Sequence, residues 1–221
     1  MMYKKYVLTK RFLAELLVWE CVVFAALIGV IVLGFETYAS FRLLSPQHAQ
    51  RHAWVSSQDI TMVEQDLAAC VIDFVPDDVF ETVYDAGWSL TYVDQPLPQI
   101  IKDQQITVAS YADGYDIVGL AILSHKQLLV NSETSNVINA TLHEIAHAYE
   151  HTVYLNTGTQ LSDLPEFKQI FSQEKSQFTS YYQESVREFF AEASEMYWMH
   201  PGKLKHIAPN TFDFMQNLYG E

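Results

Sequence analysis

The residues best suited to chemistry stand together in Thr141-Leu142-His143-Glu144-Ile145-Ala146-His147-Ala148-Tyr149. On a helix, His143 and His147 sit one turn apart on one face, where two imidazoles can share one ion. Glu144 stands beside the first of them, placed to act as a base toward a water molecule there. Ile145, Ala146 and Ala148 are small or apolar, and no Pro or Gly interrupts them, so the stretch predicts a buried helix. The competing reading is an amphipathic helix with two surface histidines. A third ligand decides between them.

A catalytic zinc takes three protein ligands and keeps one position open. Glu184 to Trp198 is rich in helix formers, and Glu188, Glu192 and Glu195 fall on one face at steps of four and three. Glu188 and Glu192 are the candidate partners. One would bind the metal; the other would accept the second N–H of a ligand histidine and hold its tautomer. A solvated acidic helix is the plainer reading, but Phe189 and Phe190 demand burial of this segment. His151 continues the histidine stripe by one turn. The longer metzincin pattern needs a Gly and a further histidine where this chain has Val153, so we read His151 as a histidine near a helix C-terminus.

Three elements, His143-Glu144-x-x-His147, Ser180-Tyr181 and Glu188-Phe189-Phe190-Ala191-Glu192-Ala193, together resemble the catalytic domain of the anthrax lethal factor family. That family includes the secreted Pro-Pro endopeptidases. The similarity continues through Ala208-Pro209-Asn210-Thr211-Phe212 and spans roughly residues 137–219. The resemblance implies a zinc endopeptidase with one catalytic Zn2+ on His143, His147 and Glu188. It implies Glu144 as general base, Tyr181 facing the reacting carbonyl, and Glu192 behind a ligand histidine. It implies an extended polypeptide substrate added to an edge strand, for which the segment Ile117 to Asn131 is the candidate. Proline-selective cleavage is one specificity the family offers. The alternative is a membrane-tethered, zinc-binding regulatory module without turnover; the presence of all the expected catalytic residues favours the enzyme.

The elements that must position these residues predict an α+β domain. It is a small zincin-like metallopeptidase fold with N-terminal helices and a short mixed sheet, followed by the active-site helices. Helices are expected over Asp59–Phe74, with Ser56 or Ser57 as cap, and over Asp77–Ala86. Strands are expected at Trp88–Val93, Ile106–Tyr111, Ile117–Leu123 and Lys126–Asn131, with Gln95-Pro96-Leu97-Pro98 as a break. The motif helix is expected from a cap at Ser132 or Thr134 to about Tyr154. Further helices are expected over Asp163–Phe178 and Pro209–Tyr219, with Pro201 and Gly202 as a stop after Trp198. Ser40 to Ser57 reads as a connector without firm periodicity.

The chain carries a formal charge of −14 over 221 residues. Lys4, Lys5, Lys10 and Arg11 hold four of its 13 basic residues, leaving a strongly acidic remainder. An acidic surface has nothing to replace phosphate counterions, which argues against nucleic acid. Cys21 and Cys70 leave no disulfide to the body of the protein. The basic start followed by the apolar run Leu16–Phe35 reads as a membrane anchor over residues 1–39, with residues 40–221 as the metallopeptidase domain. The expected location is the extracellular face of the cell membrane; cleavage near Ala39, giving a secreted protein, is the alternative.

Overall fold

The computed structural model describes residues 46–56, 61–106 and 117–220. The chain divides into two compact units, Met1–Gln50 and Arg51–Glu221. Of the first, only the opening of one helix is described, and the proposed anchor over residues 1–39 lies outside the described residues. Among the described residues, no helix is long and apolar enough to cross a membrane.

The expected connector contains a helix, α1 (Pro46–Ser56). Its buried face holds Trp54 and Val55 together with Arg51, a charged residue that hides the apolar stripe from a reading of periodicity. The Arg51 guanidinium donates to the carbonyls of Ile72 and Val75, pairs with Asp77 and lies over the Phe80 ring. It thus ties down carbonyls at and just beyond the end of the next helix. That helix, α2 (Met62–Ile72), is closed at its start by a reciprocal Thr61–Glu64 capping box, and not by Ser56 or Ser57 as expected. The short helix α3 (Asp77–Asp85) buries Val79, Phe80 and Val83.

Strand β1 (Ser89–Val93) follows, and then the Pro96–Pro98 segment opens a helix, α4 (Leu97–Asp103), where a mere break was expected. Proline is tolerated in a first turn because its missing N–H has no partner there in any case. The strand expected over Ile106–Tyr111 lies almost wholly outside the described residues. Strands β2 (Gly119–Ile122) and β3 (Gln127–Asn131) complete a mixed sheet of order β1-β3-β2. β3 pairs parallel with β1 and antiparallel with β2, so it is central. Its run Leu128-Leu129-Val130 is apolar on both faces because both are covered. Leu128 and Val130 join the main core, while Leu129 and Ile122 pack with Leu97, Ile100 and Ile101 of α4.

The main face of the sheet lies against α5 (Val137–Thr157), the helix that carries the histidine motif. It starts after Asn136 rather than from a Ser132 or Thr134 cap, and Gly158 ends it with φ +73°, a left-handed stop that suits glycine. Two buried hydrogen bonds fix α5 on β1 and the residue before it. Tyr92 Oη lies 3.0 Å from Thr141 Oγ1, and Trp88 Nε1 donates to Thr152 Oγ1 at 2.9 Å.

Beyond α5 come α6 (Pro165–Glu174), α7 (Val186–Met199), α8 (Pro201–Ile207) and α9 (Pro209–Tyr219). α7 ends at Met199, before Pro201 as expected, and Pro201 then opens α8, tolerated in a first turn as in α4. Ser185 caps α7 by accepting from the N–H groups of Arg187 and Glu188. Phe189 and Phe190 are fully buried against Phe167, which packs α7 on α6. At the end of α6, the buried Glu174 carboxylate accepts from the backbone N–H groups of Asn210 and Thr211 and from their side chains, at 2.7–3.0 Å. A carboxylate at the start of α9 complements the helix dipole. Glu174→Ala leaves those donors unmet, and we expect it to lower unfolding free energy by about 2–3 kcal/mol in a urea titration.

Candidate active site

His143 and His147 project from the buried middle of α5 with ring centroids 4.8 Å apart. From α7, Glu188 reaches both. Its Oε2 lies 3.1 Å from His143 Nε2 and its Oε1 lies 3.5 Å from His147 Nε2. Ligand atoms of the three residues all lie within 4.8 Å of one another. Ser185 sets the first turn of α7 and the buried phenylalanines set its depth, so Glu188 is aimed at α5 by its neighbours in sequence.

Whether these residues fit a zinc ion can be tested on their spacing. Zinc holds nitrogen and oxygen ligands tetrahedrally at roughly 2.0–2.2 Å, which separates neighbouring ligand atoms by about 3.3–3.6 Å. The observed 3.1 and 3.5 Å fall around that range. The donor set of two imidazoles and a carboxylate is also one that zinc accepts. The residues fit.

The electrostatics call for a positive charge at the same point. Burial opposes a charged His143, but the hydrogen bond to Glu188 and the charges of Glu144, Glu188 and Glu192 prevail and push it up to about 9. Burial likewise opposes a charged Glu188, but its hydrogen bonds to the two histidines hold its carboxyl far below the usual range. Glu144 is pushed upward, chiefly by burial. Its carboxylate accepts the N–H of Ala121 from β2. A buried acid of raised pKa beside this cluster is suited to taking up and releasing a proton.

Tyr181 and Tyr182 stand in a 3-10 turn, Ser180–Gln183, before α7. Tyr181 hydrogen-bonds Glu188, and burial together with the Glu188 charge raises its hydroxyl far above the ordinary tyrosine range. It remains protonated and able to donate. Tyr182 takes a different place: its ring centroid is 5.6 Å from that of His143, and its hydroxyl hydrogen-bonds Glu192. The two adjacent tyrosines thus serve the two acids of α7 separately.

Glu192 is brought to the His143 ring but not into a hydrogen bond, its Oε2 lying 4.0 Å from Nδ1. It is instead part of a chain. Glu192 shares a hydrogen bond with Glu195, and Asn139 of α5 donates to Glu195. Burial and the adjacent Glu192 charge push Glu195 up to about 8. His143, Glu192 and Glu195 form a second group whose ligand atoms meet the same spacing. Glu195 and Asn139 had no assigned role in the sequence reading. Their signal was present in the helical spacing, Asn139 one turn before His143 and Glu195 one turn after Glu192. His151 lies edge-on to Trp88 at 6.1 Å, away from this cluster by role, and burial lowers its pKa.

Comparison with known proteins agrees with the fold. The family described as "Anthrax toxin lethal factor, N- and C-terminal domain" matches residues 71–218. A Pro-Pro endopeptidase of Clostridioides difficile (strain 630) is 40% identical over 88 residues, a stretch that spans 38% of this chain and 38% of that relative. The structure of the Pro-Pro endopeptidase PPEP-2 from Paenibacillus alvei is similar with a TM-score of 0.57 at 21% identity, covering 73% of this chain and 94% of that one. The family match takes in both strands and helices that build the site and more than half of the sequence, and the chain belongs to the anthrax toxin lethal factor family.

Proposed function

We propose that this protein is a zinc-dependent endopeptidase acting on extended polypeptides outside the cell. The observation that carries the reading is the meeting of His143, His147 and Glu188 from two helices, with Glu144 and Tyr181 beside them. His143, His147 and Glu188 would hold the metal. Zinc in such a site supplies Lewis acidity that makes water a nucleophile near neutral pH. Glu144 takes a proton from the attacking water and passes it to the departing amine. The Tyr181 hydroxyl donates to the carbonyl oxygen as negative charge grows on it.

Substrate would add as a strand to the edge of β2, the outer strand among the described residues and the one next to Glu144. Asn131 N–H of β3 donates to Val118 O beside β2, so by alternation the peptide groups of Gly119 and Ala121 face that outer edge, where the Ala121 N–H already meets Glu144. Proline-containing sequences are the first substrates to try, because both named relatives are Pro-Pro endopeptidases. We further propose that residues 1–39 anchor the enzyme at the outer face of the cell membrane and that residues 40–221 form the metallopeptidase domain.

The test is metal analysis of the purified chain together with digestion of a proteome-derived peptide library. One zinc per chain and chelator-sensitive cleavage are expected; zinc binding without cleavage of any peptide would overturn the reading. Tyr181→Phe should lower kcat by about 100- to 1,000-fold with bound zinc unchanged, as expected for removal of one oxyanion donor. The same loss in Tyr182→Phe but not in Tyr181→Phe would exchange their roles.

A further inference from the structure

We propose that Gly119 is a positioning residue whose missing side chain makes the space in which Glu144 works. The inference rests on the reading of Glu144 as general base and adds a determinant from the sheet. On β2, Gly119 and Ala121 pair with Val130 and Leu128, whose side chains face α5, so these two small residues line the same face. Glu144 comes down onto that face. A Cβ placed on Gly119 would lie 2.6 Å from Glu144 Oε1, 2.8 Å from Cγ and 3.0 Å from Cδ. Those are its three nearest atoms, and all belong to this one side chain.

The backbone does not require glycine at this position. Positive φ occurs at Gly87, Gly158 and Gly220, and Gly119 is not among them. A glycine inside a strand weakens it and usually marks a close approach. Here the approaching group is the carboxylate arm of Glu144. That arm cannot yield at its tip alone, because Cγ and Cδ are both too near. It is buried, and its oxygen is held by the Ala121 N–H. Adding one methyl to residue 119 must therefore swing the whole arm away from both Ala121 and the histidine pair. Gly119 and Ala121 act as two halves of one seat, one by giving room and the other by donating a hydrogen bond.

The experiment is a cycle of four full-length chains: parent, Gly119→Ala, Glu144→Ala and the double variant. Their melting temperatures are measured after chelation, so this readout needs neither metal nor turnover. Gly119→Ala should lower Tm by roughly 3–10 °C when Glu144 is present. It should leave Tm nearly unchanged when residue 144 is alanine, because the clashing arm is gone. In the zinc-loaded chain, Gly119→Ala should reduce kcat about 100-fold, the scale of a displacement near 1 Å, with KM and zinc content close to the parent's.

Equal falls in Tm in both backgrounds would overturn the proposal, as would coupled Tm values with an unchanged kcat. If Gly119→Ala yields no folded protein, folding of the double variant supports the proposal and its failure to fold overturns it. A parent chain inactive on every peptide would sink the proposed function alone. The melting cycle would still decide whether Glu144 is what keeps residue 119 small.

Discussion

Glu144→Gln should lower kcat by about 100- to 10,000-fold while leaving zinc content at the parent's level. The substitution keeps the length of the side chain, so its packing against Gly119 and its acceptor toward the Ala121 N–H both survive. What is lost is the ability to take a proton from water and return it. The ligand cluster is spared, because Glu144 is adjacent to His143 in sequence but is not one of the three converging ligand groups. Burial raises the Glu144 pKa, which brings the acid closer to the proton affinity a base at neutral pH needs. Steady-state kinetics on a cleaved peptide, with zinc measured by atomic absorption, checks the prediction. Near-parental kcat in Glu144→Gln would remove this residue from the proton path.

Glu188→Ala should weaken zinc binding by more than about 100-fold, and Glu192→Ala by about 10- to 100-fold, as for an outer partner of a ligand. The ranking follows from reach. Glu188 places one oxygen near each histidine, at 3.1 and 3.5 Å, so it alone of the α7 acids spans the pair. Glu192 approaches only the Nδ1 side of His143, at 4.0 Å, and its hydrogen bonds run to Tyr182 and Glu195. Competition against a fluorescent chelator gives both affinities on one scale. The reverse order would move the metal to the second group, His143 with Glu192 and Glu195.

Several elements were legible in advance because their apolar residues repeat with the period of the structure they form. The histidine helix, the acidic helix and the Pro209–Tyr219 helix emerged close to their expected ends, as did Asp77–Asp85 and the strands at Ser89 and Gln127. The misses have a common cause. In α1, the position that completes the buried face is Arg51, which becomes acceptable inside only because carbonyls of Ile72 and Val75 and the Asp77 carboxylate receive it. In α4, prolines read as a break stand at the start of a first turn, where they are harmless. Each of these depends on a partner that local sequence does not name. α4 matters most, since it covers the sheet face that Leu129 and Ile122 require to be buried.

The candidate site divides along the same line. By itself, the sequence determined which side chains share a helix face: His143 with His147, and Glu188 with Glu192 and Glu195. Helical period is a short-range property, and the chain carries it without help. The tertiary structure decided which acid bridges the two imidazoles and which turns to Tyr182. It also decided that Asn139 meets Glu195, and that a bare glycine on a neighbouring strand makes room for Glu144. Those outcomes depend on how α7 and β2 are set against α5. That placement depends on the packing of Phe189 and Phe190 against Phe167 of α6 on one side and the β3 register on the other, contacts between residues far apart in the chain.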